Sequence, residues 1–364
     1  MDYKGNIPVF EVSGNSYEIG YGVGAQAKKY VLNCVQSYKD MFWAFNGLDW
    51  EKCKKLAQQY IPTIESYDPD YIEEMKGIAD GAGLTFDDIL LLNCRSEVVL
   101  RGNADLPPDG CTAIAVTPER TGGSTYIGQN WDWKPSQRDS MIIVKINQTA
   151  NDKPNLVLLT EAGIIGKYGM NSYGLGFCFN AMSVNEFPHG GLPLHIALRG
   201  AMDSQNLCEA ALKVTKMQLG CSVNFMIASA DGEAIDIEIS NDDFDILYPE
   251  KSIIVHANNF KSLRLPRHPY RETSKAKWPD TFIRTGRAEK LMRAIEGDIK
   301  PQDFMKVFSD HADFPTSICH HEDPRDPVHN RLGTVTSFIM DLNRMEMYVA
   351  LGSPCMARYQ LYKF

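Results

Sequence analysis

Asp109-Gly110-Cys111-Thr112 is the place where residue types and order in this sequence suggest chemistry. Asp-Gly is a good turn pair, so the ordinary reading is a turn followed by a cysteine that opens a strand. In the chemical reading, the Cys111 thiol attacks the carbonyl carbon of Gly110. The peptide bond would become a thioester, and water would then release a new α-amino group on Cys111. A glycine at 110 lets the backbone adopt the strained conformations that bring the thiol over its own preceding carbonyl. The new α-amine, with an ordinary pKa of about 7.7–8.0, is a usable general base on the same residue as the nucleophile. Such a pairing needs no separate histidine.

Several polar residues stand where they could complete such a site. Asp132 ends the second strand of a hairpin that starts at Cys111, so the hairpin returns it towards the thiol. Asn258 follows the apolar run Ile253-Ile254-Val255, and Asn180 closes the run Gly174–Phe179. Arg331 precedes Gly333–Leu342, and Ser240 lies in the segment ISNDD. Each has a plainer reading: a turn aspartate, two strand-end asparagines, a surface arginine and a turn serine.

Rival chemistries are weaker in the sequence. Asp310-His311-Ala312-Asp313 and Cys319-His320-His321-Glu322-Asp323 hold many metal-ligating atoms. Adjacent histidines point to opposite sides of an extended chain, however, and neither HExxH nor CxxC spacing occurs, so no metal is expected. A Cys-His dyad would draw on His195 or His256; His195 lies in an apolar helical pattern, and His256 shares the VHANN segment with Asn258. A non-catalytic binding homologue would be expected to lose Cys111, Asp132 or Asn258, and all three are present. Gly20-Tyr21-Gly22-Val23-Gly24 lacks the preceding strand and spacing of a dinucleotide loop.

The elements that must position these residues change character near Cys111. After a short strand at Pro8–Val12, the first hundred residues read as helical. One helix is expected from Ser16 through Val35, with Gly20, Gly22 and Gly24 loosening its start. A second covers Trp50–Tyr60 and stops at Pro62, and a third covers Tyr71–Ala82. A capping box at Thr85–Asp88 opens a fourth. A polar loop over 102–110 follows. Beyond it, strands are expected at Cys111–Thr117, Ser124–Asn130, Met141–Asn147, Leu156–Glu161 and Gly174–Asn180. Helices at Leu192–Met202 and Gln205–Met217 precede strands at Asn224–Ala230, Ala234–Ser240 and Ile253–Ala257. Helices at Phe282–Ile295 and from Pro301 lead to the strands Gly333–Leu342 and Glu346–Leu351. Strands, helices, then strands suggest two sheets with helices on their outer faces, an α+β layering.

Composition narrows the class further. The 364 residues are 44% hydrophobic and 23% charged with a formal net charge of -9, which is globular and carries no basic footprint for nucleic acid. The N-terminus lacks a secretory pattern, and no apolar run approaches the roughly 18 residues of a membrane helix. Nine cysteines without a CxxC pair fit reduced thiols, so a cytoplasmic protein is expected.

Asp109–Thr112 (DGCT) and Gly128–Trp133 (GQNWDW) together resemble the acyl-coenzyme A:6-aminopenicillanate acyltransferase family of self-processing N-terminal-nucleophile enzymes. Similarity continues through Thr160–Met182, Leu192–Arg199, Val255–Asn259, Ser317–Cys319 and the last strands. Tyr17–Lys28 and Glu73–Gly83 also match, so the resemblance spans nearly the whole chain. It implies an αββα four-layer sandwich, with residues 1–110 as a small fragment packed against 111–364. It implies that Cys111 is the nucleophile, that Asp132 assists cleavage and orients the amine, and that Asn258 supplies the oxyanion-hole amide. Arg331 is placed near the nucleophile, able to pair with Asp132, and Asn180 and Ser240 are candidates for the polar wall. The implied reaction is hydrolysis of a small N-acyl amide through a thioester, with acyl transfer to an amine as the alternative. No cofactor is required, although coenzyme A thioesters serve as donors in some relatives. Homo-oligomer formation is left open. The chain departs from the penicillin-forming pattern at His320, where an arginine is usual, and at Ala113, where a hydroxyl residue is usual. It also ends in QLYKF, without a peroxisomal address.

Overall fold

The computed structural model describes residues 6–100, 110–184, 190–240, 243–265, 273–274 and 278–364. Apart from Gly110, the loop expected over 102–110 lies outside them. The strands are β1 (Val9–Gly14), β2 (Thr112–Val116), β3 (Tyr126–Trp133), β4 (Met141–Gln148), β5 (Leu156–Glu161), β6 (Tyr168–Asn171) and β7 (Leu175–Ala181). They continue as β8 (Val223–Ser229), β9 (Ala234–Ser240), β10 (Asp243–Leu247), β11 (Ile253–His256), β12 (Gly333–Asp341), β13 (Glu346–Leu351) and β14 (Gln360–Lys363). The α-helices are α1 (Ser16–Gln26), α2 (Lys28–Asn46), α3 (Trp50–Ala57), α4 (Ile61–Tyr67), α5 (Asp70–Ala82), α6 (Phe86–Asn93), α7 (Arg95–Leu100), α8 (Leu194–Met202), α9 (Leu207–Thr215), α10 (Asp280–Arg293) and α11 (Pro301–Phe308).

The strands form two sheets. One has the order β1-β4-β5-β6-β7-β8-β9-β10, and the other β11-β2-β3-β12-β13-β14. Every pairing is antiparallel except β1 with β4, where the N-terminal strand adds in parallel at an edge. Alternation along β2 shows how the layers stack. Cys111, Ala113 and Ala115 face the core between the sheets, with Ile127, Trp131 and Phe338. Ile114 and Val116 face outwards, onto a second core with Ala288 and Met292 of α10 and Phe304 of α11. Helices α1, α2, α8 and α9 cover the opposite face of the eight-stranded sheet. The arrangement is a four-layer αββα sandwich, as the family resemblance implied, and the α+β pattern read from periodicity agrees with it. Among the described residues, no helix is long and apolar enough to cross a membrane.

Local differences from the sequence reading have physical causes. The first helix is capped by Asn15, which forms a capping box with Glu18, and it breaks at Ala27, after which α2 begins. Pro62 starts α4 instead of stopping a helix, as suits a residue in the first turn with no amide hydrogen to satisfy. Gly20 and Gly24 do not loosen α1. They let its backbone touch α5, because a Cβ at either would overlap the backbone at Glu74 or Ile78. Gly77 and Gly81 of α5 answer them, with the backbone of Tyr17 and Tyr21 against their Cα atoms. Strands β6, β10 and β14 and helices α4 and α7 were not read from sequence.

Candidate active site

The β2–β3 ladder runs one step beyond its assigned end. Thr112 pairs with Asn130, and the Gly110 amide donates to the Asp132 carbonyl at 3.2 Å, so Gly110 stands opposite Asp132. On the other flank, β11 pairs with β2 so that His256 faces Ala113. The ladder ends there: the Asn258 backbone amide donates instead to Thr281 Oγ1 at 2.7 Å, and Arg284 bridges the Asn258 side chain to the Cys111 carbonyl. The Gly110–Cys111 bond therefore lies between Asp132 on one side and Asn258 on the other.

Alternation separates their side chains. Cys111 is fully buried on the face between the sheets, close enough to Cys178 of β7 that its thiolate, second to burial, pushes the Cys178 thiol up. Asp132 lies on the other face, with the Gly110 backbone. A Cβ at Gly110 would come within 3.1 Å of His320 Nδ1 and 3.3 Å of Asp132 Oδ2, so there is little room for a side chain. Thr334 of β12 donates to Asp132 Oδ1 at 2.6 Å, and His320 Nδ1 lies 3.9 Å from Oδ2. Burial, followed by the charge on Arg284, pushes the His320 imidazole down to about 4.

Arg284 of α10 ties the other side together. Its guanidinium donates to the Cys111 carbonyl at 2.5 Å, to Thr112 Oγ1 at 3.2 Å and to Asn258 Oδ1 at 3.0 Å, and Nε bonds Asp280 at 3.1 Å. An arginine only donates, which fixes the orientation of the Asn258 amide: Oδ1 faces Arg284, and Nδ2 points away and donates to Ala181 O at 2.9 Å. Ala181 follows Asn180 at the end of β7. The Asn180 side chain is fully buried, and neither of its amide atoms has a partner among the described residues. Ser240, at the end of β9, has a buried hydroxyl in the same condition.

Buried polar groups continue across the sheet interface. Asn224 Oδ1 accepts from the Asn180 backbone N–H at 2.8 Å, and its Nδ2 donates to Asp236 at 2.6 Å. His256 lies 2.8 Å from Glu238 and 3.7 Å from Asp236. Burial alone would lower the His256 pKa, but Asp236 and the Glu238 bond outweigh it and hold the imidazole above its usual value. Burial, only partly offset by His256, raises Asp236.

Arg331 is not in this group. Its guanidinium donates to the carbonyls of Asp326 at 3.1 Å and Pro324 at 3.0 Å, so the expected pairing with Asp132 is replaced by Thr334 and His320. The reason is local: Arg331 closes a turn ahead of β12 and satisfies the carbonyls of that turn. His195 is packed, with Nδ1 2.7 Å from Gly166 O and its ring edge-on to Phe179.

Arg284, Thr334 and Gln129 were missed in the sequence. Arg284 sits in an amphipathic helix like any surface arginine, and nothing local marks it. Gln129 had a signal in GQNWDW. Beyond Phe177 the pairing between β6 and β7 stops, and the Gln129 amide takes over the Phe179 backbone, donating to its carbonyl at 2.8 Å and accepting from its amide at 3.1 Å. Asn130 holds the carbonyls of Phe308 and Ile318, both at 2.8 Å.

Two sheets packed face to face between helical layers are the fold of the N-terminal-nucleophile hydrolases. Residues 119–355 match the family described as acyl-coenzyme A:6-aminopenicillanic acid acyl-transferase, about two thirds of the chain, and the protein belongs to it. It is 28% identical over 343 residues to the acyl-coenzyme A:6-aminopenicillanic-acid-acyltransferase 40 kDa form of Emericella nidulans, covering 94% of this chain and 91% of that one. It is 24% identical over 240 residues to beta-alanyl-dopamine/carcinine hydrolase of Drosophila melanogaster, 60% of this chain and 61% of the relative. The solved penicillin V acylase from Agrobacterium tumefaciens aligns at 14% identity and a TM-score of 0.44, over 66% of this chain and 83% of that one. The protein is an enzyme of the acyltransferase and amide-hydrolase class.

Proposed function

We propose that the chain cleaves itself between Gly110 and Cys111, and that the freed Cys111 then hydrolyses a small N-acyl amide through a thioester. The single observation that carries this is the shared Arg284 guanidinium, which holds the Cys111 carbonyl and Asn258 Oδ1 in one frame. The Asn258 NH2 is thereby turned away from the arginine; one of its two hydrogens goes to Ala181 O, and the other is the oxyanion donor.

In the first reaction the Cys111 sulfur bonds to the Gly110 carbonyl carbon and the C–N bond breaks, giving a thioester and a free amine. Water then releases the Gly110 carboxylate. The new α-amine occupies the place where Gly110 now meets Asp132, so the carboxylate on that face would orient it and favour its protonated form. The thiol works on the opposite face, towards Asn258 and Asn180. In turnover, sulfur attacks the substrate carbonyl, Asn258 stabilises the tetrahedral oxyanion, the leaving amine takes a proton and water hydrolyses the acyl-enzyme. Asn180 supports a substrate role because a buried amide without partners costs about 1–3 kcal/mol unless something fills it.

Acyl transfer is the second reading: the same thioester passes to an amine, with an acyl-coenzyme A thioester as a further donor. The name of the Emericella relative favours it, and that of the Drosophila relative favours hydrolysis.

Intact mass and denaturing electrophoresis of the wild type beside Cys111→Ala test the proposal. Two fragments are expected in the wild type, the larger beginning at Cys111, and one uncut chain in the variant. An uncut wild type would overturn self-processing. Cleaved protein inert towards N-acyl p-nitroanilides and acyl-coenzyme A thioesters would overturn the turnover step for those donors.

A further inference from the structure

We propose that His311, Cys319, His321 and Cys355 bind one Zn²⁺ ion that staples the loop carrying His320 to the turn after β13. The ligand atoms of these four side chains all lie within 4.8 Å of one another. His321 Nε2 is 3.1 Å from His311 Nε2, 3.4 Å from Cys319 Sγ and 3.4 Å from Cys355 Sγ. In a tetrahedral zinc site, bonds of about 2.0–2.1 Å to nitrogen and about 2.3 Å to sulfur put neighbouring ligand atoms roughly 3.3–3.8 Å apart. The observed spacings already approach those edges, so only small side-chain rotations are needed to close the shell.

The donor set selects the metal. Two thiols and two imidazoles suit a borderline-soft ion with no geometric demand of its own, and a filled S₂N₂ tetrahedron is a structural zinc site with no open position for catalysis. His311 and Cys355 are exposed, which gives the ion a path in, and Cys319 is buried beneath them.

The backbone is folded to present these ligands. The Cys319 amide donates to Asp310 O at 3.0 Å and the His321 amide to Pro315 O at 3.0 Å, closing the loop on itself so that His311 meets His321. Cys355 comes from the turn after β13, where the amides of Met356 and Ala357 return to Ser353 O. Alternation places Cys319 and His321 on one side of the chain and His320 on the other, against Gly110 and Asp132. The opposite-facing histidines that argued against a metal in the sequence leave the i and i+2 pair free to converge. The partners at 311 and 355 lie too far along the chain for any spacing motif to mark them.

The test uses full-length wild type, stripped with a chelator and titrated with ZnCl₂, then separately with CoCl₂. The expected result is one equivalent of zinc per chain, a rise in melting temperature, and tetrahedral cobalt bands with sulfur-to-cobalt charge transfer. Cys355→Ser and His311→Ala, both at exposed positions, should lose the bands and the thermal gain, while Cys208→Ser, at an exposed cysteine elsewhere, should keep both. The proposal is overturned by no zinc uptake, by an octahedral cobalt spectrum, by uptake unchanged in Cys355→Ser, or by a Cys319–Cys355 disulfide in its place. Metal content and spectra are read without activity, so this result stands apart from that of the self-cleavage experiment.

Discussion

Cys111 and Asn258 are held by one guanidinium: Arg284 donates to the carbonyl oxygen of the first at 2.5 Å and to Oδ1 of the second at 3.0 Å. With Oδ1 engaged, the amide cannot turn over without facing its NH2 to a cation, which makes Asn258 a fixed donor.

A first prediction follows for turnover. Asn258→Asp keeps the size of the side chain and an oxygen towards Arg284 but removes the NH2. It should lower kcat by about 10²–10³-fold, the usual loss for one oxyanion donor, while KM changes little. Steady-state kinetics on the best amide of the panel measure this. Unchanged kcat would remove Asn258 from the reaction.

The glycine pairs of α1 and α5 give a second prediction, in which two effects compete. Gly→Ala inside a helix ordinarily gains up to about 1 kcal/mol from propensity. At Gly20 and Gly77 the added methyl would overlap the backbone of the facing helix, which cannot rotate away as a side chain can. Overpacking typically costs about 1–3 kcal/mol, so the clash wins and both variants should lose stability. Gly286 is exposed on α10 with nothing near its Cα, and Gly286→Ala there should gain stability. Urea midpoints decide between these signs; a stabilised Gly20→Ala would mean the helices can move apart.

Those glycines also show what was legible in the sequence. The order of strands and helices, and hence the layers, could be read because the long elements carry clear periodicity. The partner of a glycine pair fifty residues away could not, since close approach leaves no local pattern. For the site, Cys111 could be picked out by the Asp-Gly pair before it, Asp132 by its place at the end of the hairpin and Asn258 by the apolar run it follows. Arg284 could not, because its importance comes from where α10 docks. Arg331 was placed by resemblance, and the turn before β12 gave its guanidinium other carbonyls to bind.

The His256 cluster predicts pH dependence above neutrality. The imidazole is buried against Glu238 and Asp236 of β9, with the Lys261 ammonium also bearing on Asp236, and its folded pKa is raised. A raised histidine contributes stability that is fully present below the unfolded value of about 6.5 and is lost as pH rises through the folded value. Asp236, raised mainly by burial, has the same sign, but its contribution starts to be lost lower, as pH rises from about 3.9. The urea midpoint should therefore decline from about pH 6.5 upwards. His256→Gln should flatten that decline and lower stability at pH 6, because two buried carboxylates lose their cation. A midpoint that is flat or rises over this range would contradict the assignment.

Glu161 makes the opposite prediction in acid, and it bears on whether two fragments would stay together. This carboxylate of β5 is fully buried, and it accepts from Tyr38 of α2 at 2.5 Å, Arg95 of α7 at 3.4 Å and Lys167 at 2.5 Å. Tyr38 and Arg95 precede the proposed cut and Glu161 follows it, so the cluster clips the leading helices to the large sheet. Burial alone would raise the Glu161 pKa, but Arg95 and Lys167 outweigh it and hold the carboxyl down at about 2. A depressed carboxylate contributes stability that is present above the unfolded value of about 4.3 and is lost as pH falls towards the folded one. Processed protein should therefore elute with both fragments at neutral pH and begin to separate or unfold as pH drops from about 4 towards 2. Glu161→Gln leaves Arg95 and Lys167 buried without their anion. It should cost about 3–5 kcal/mol at pH 7, and the variant should lose less than the wild type on acidification. Size-exclusion chromatography and denaturation across this range test both statements. An acid midpoint unmoved by Glu161→Gln would show that the leading helices are held by apolar packing alone, and fragments that part at neutral pH would show that the cluster does not clip them.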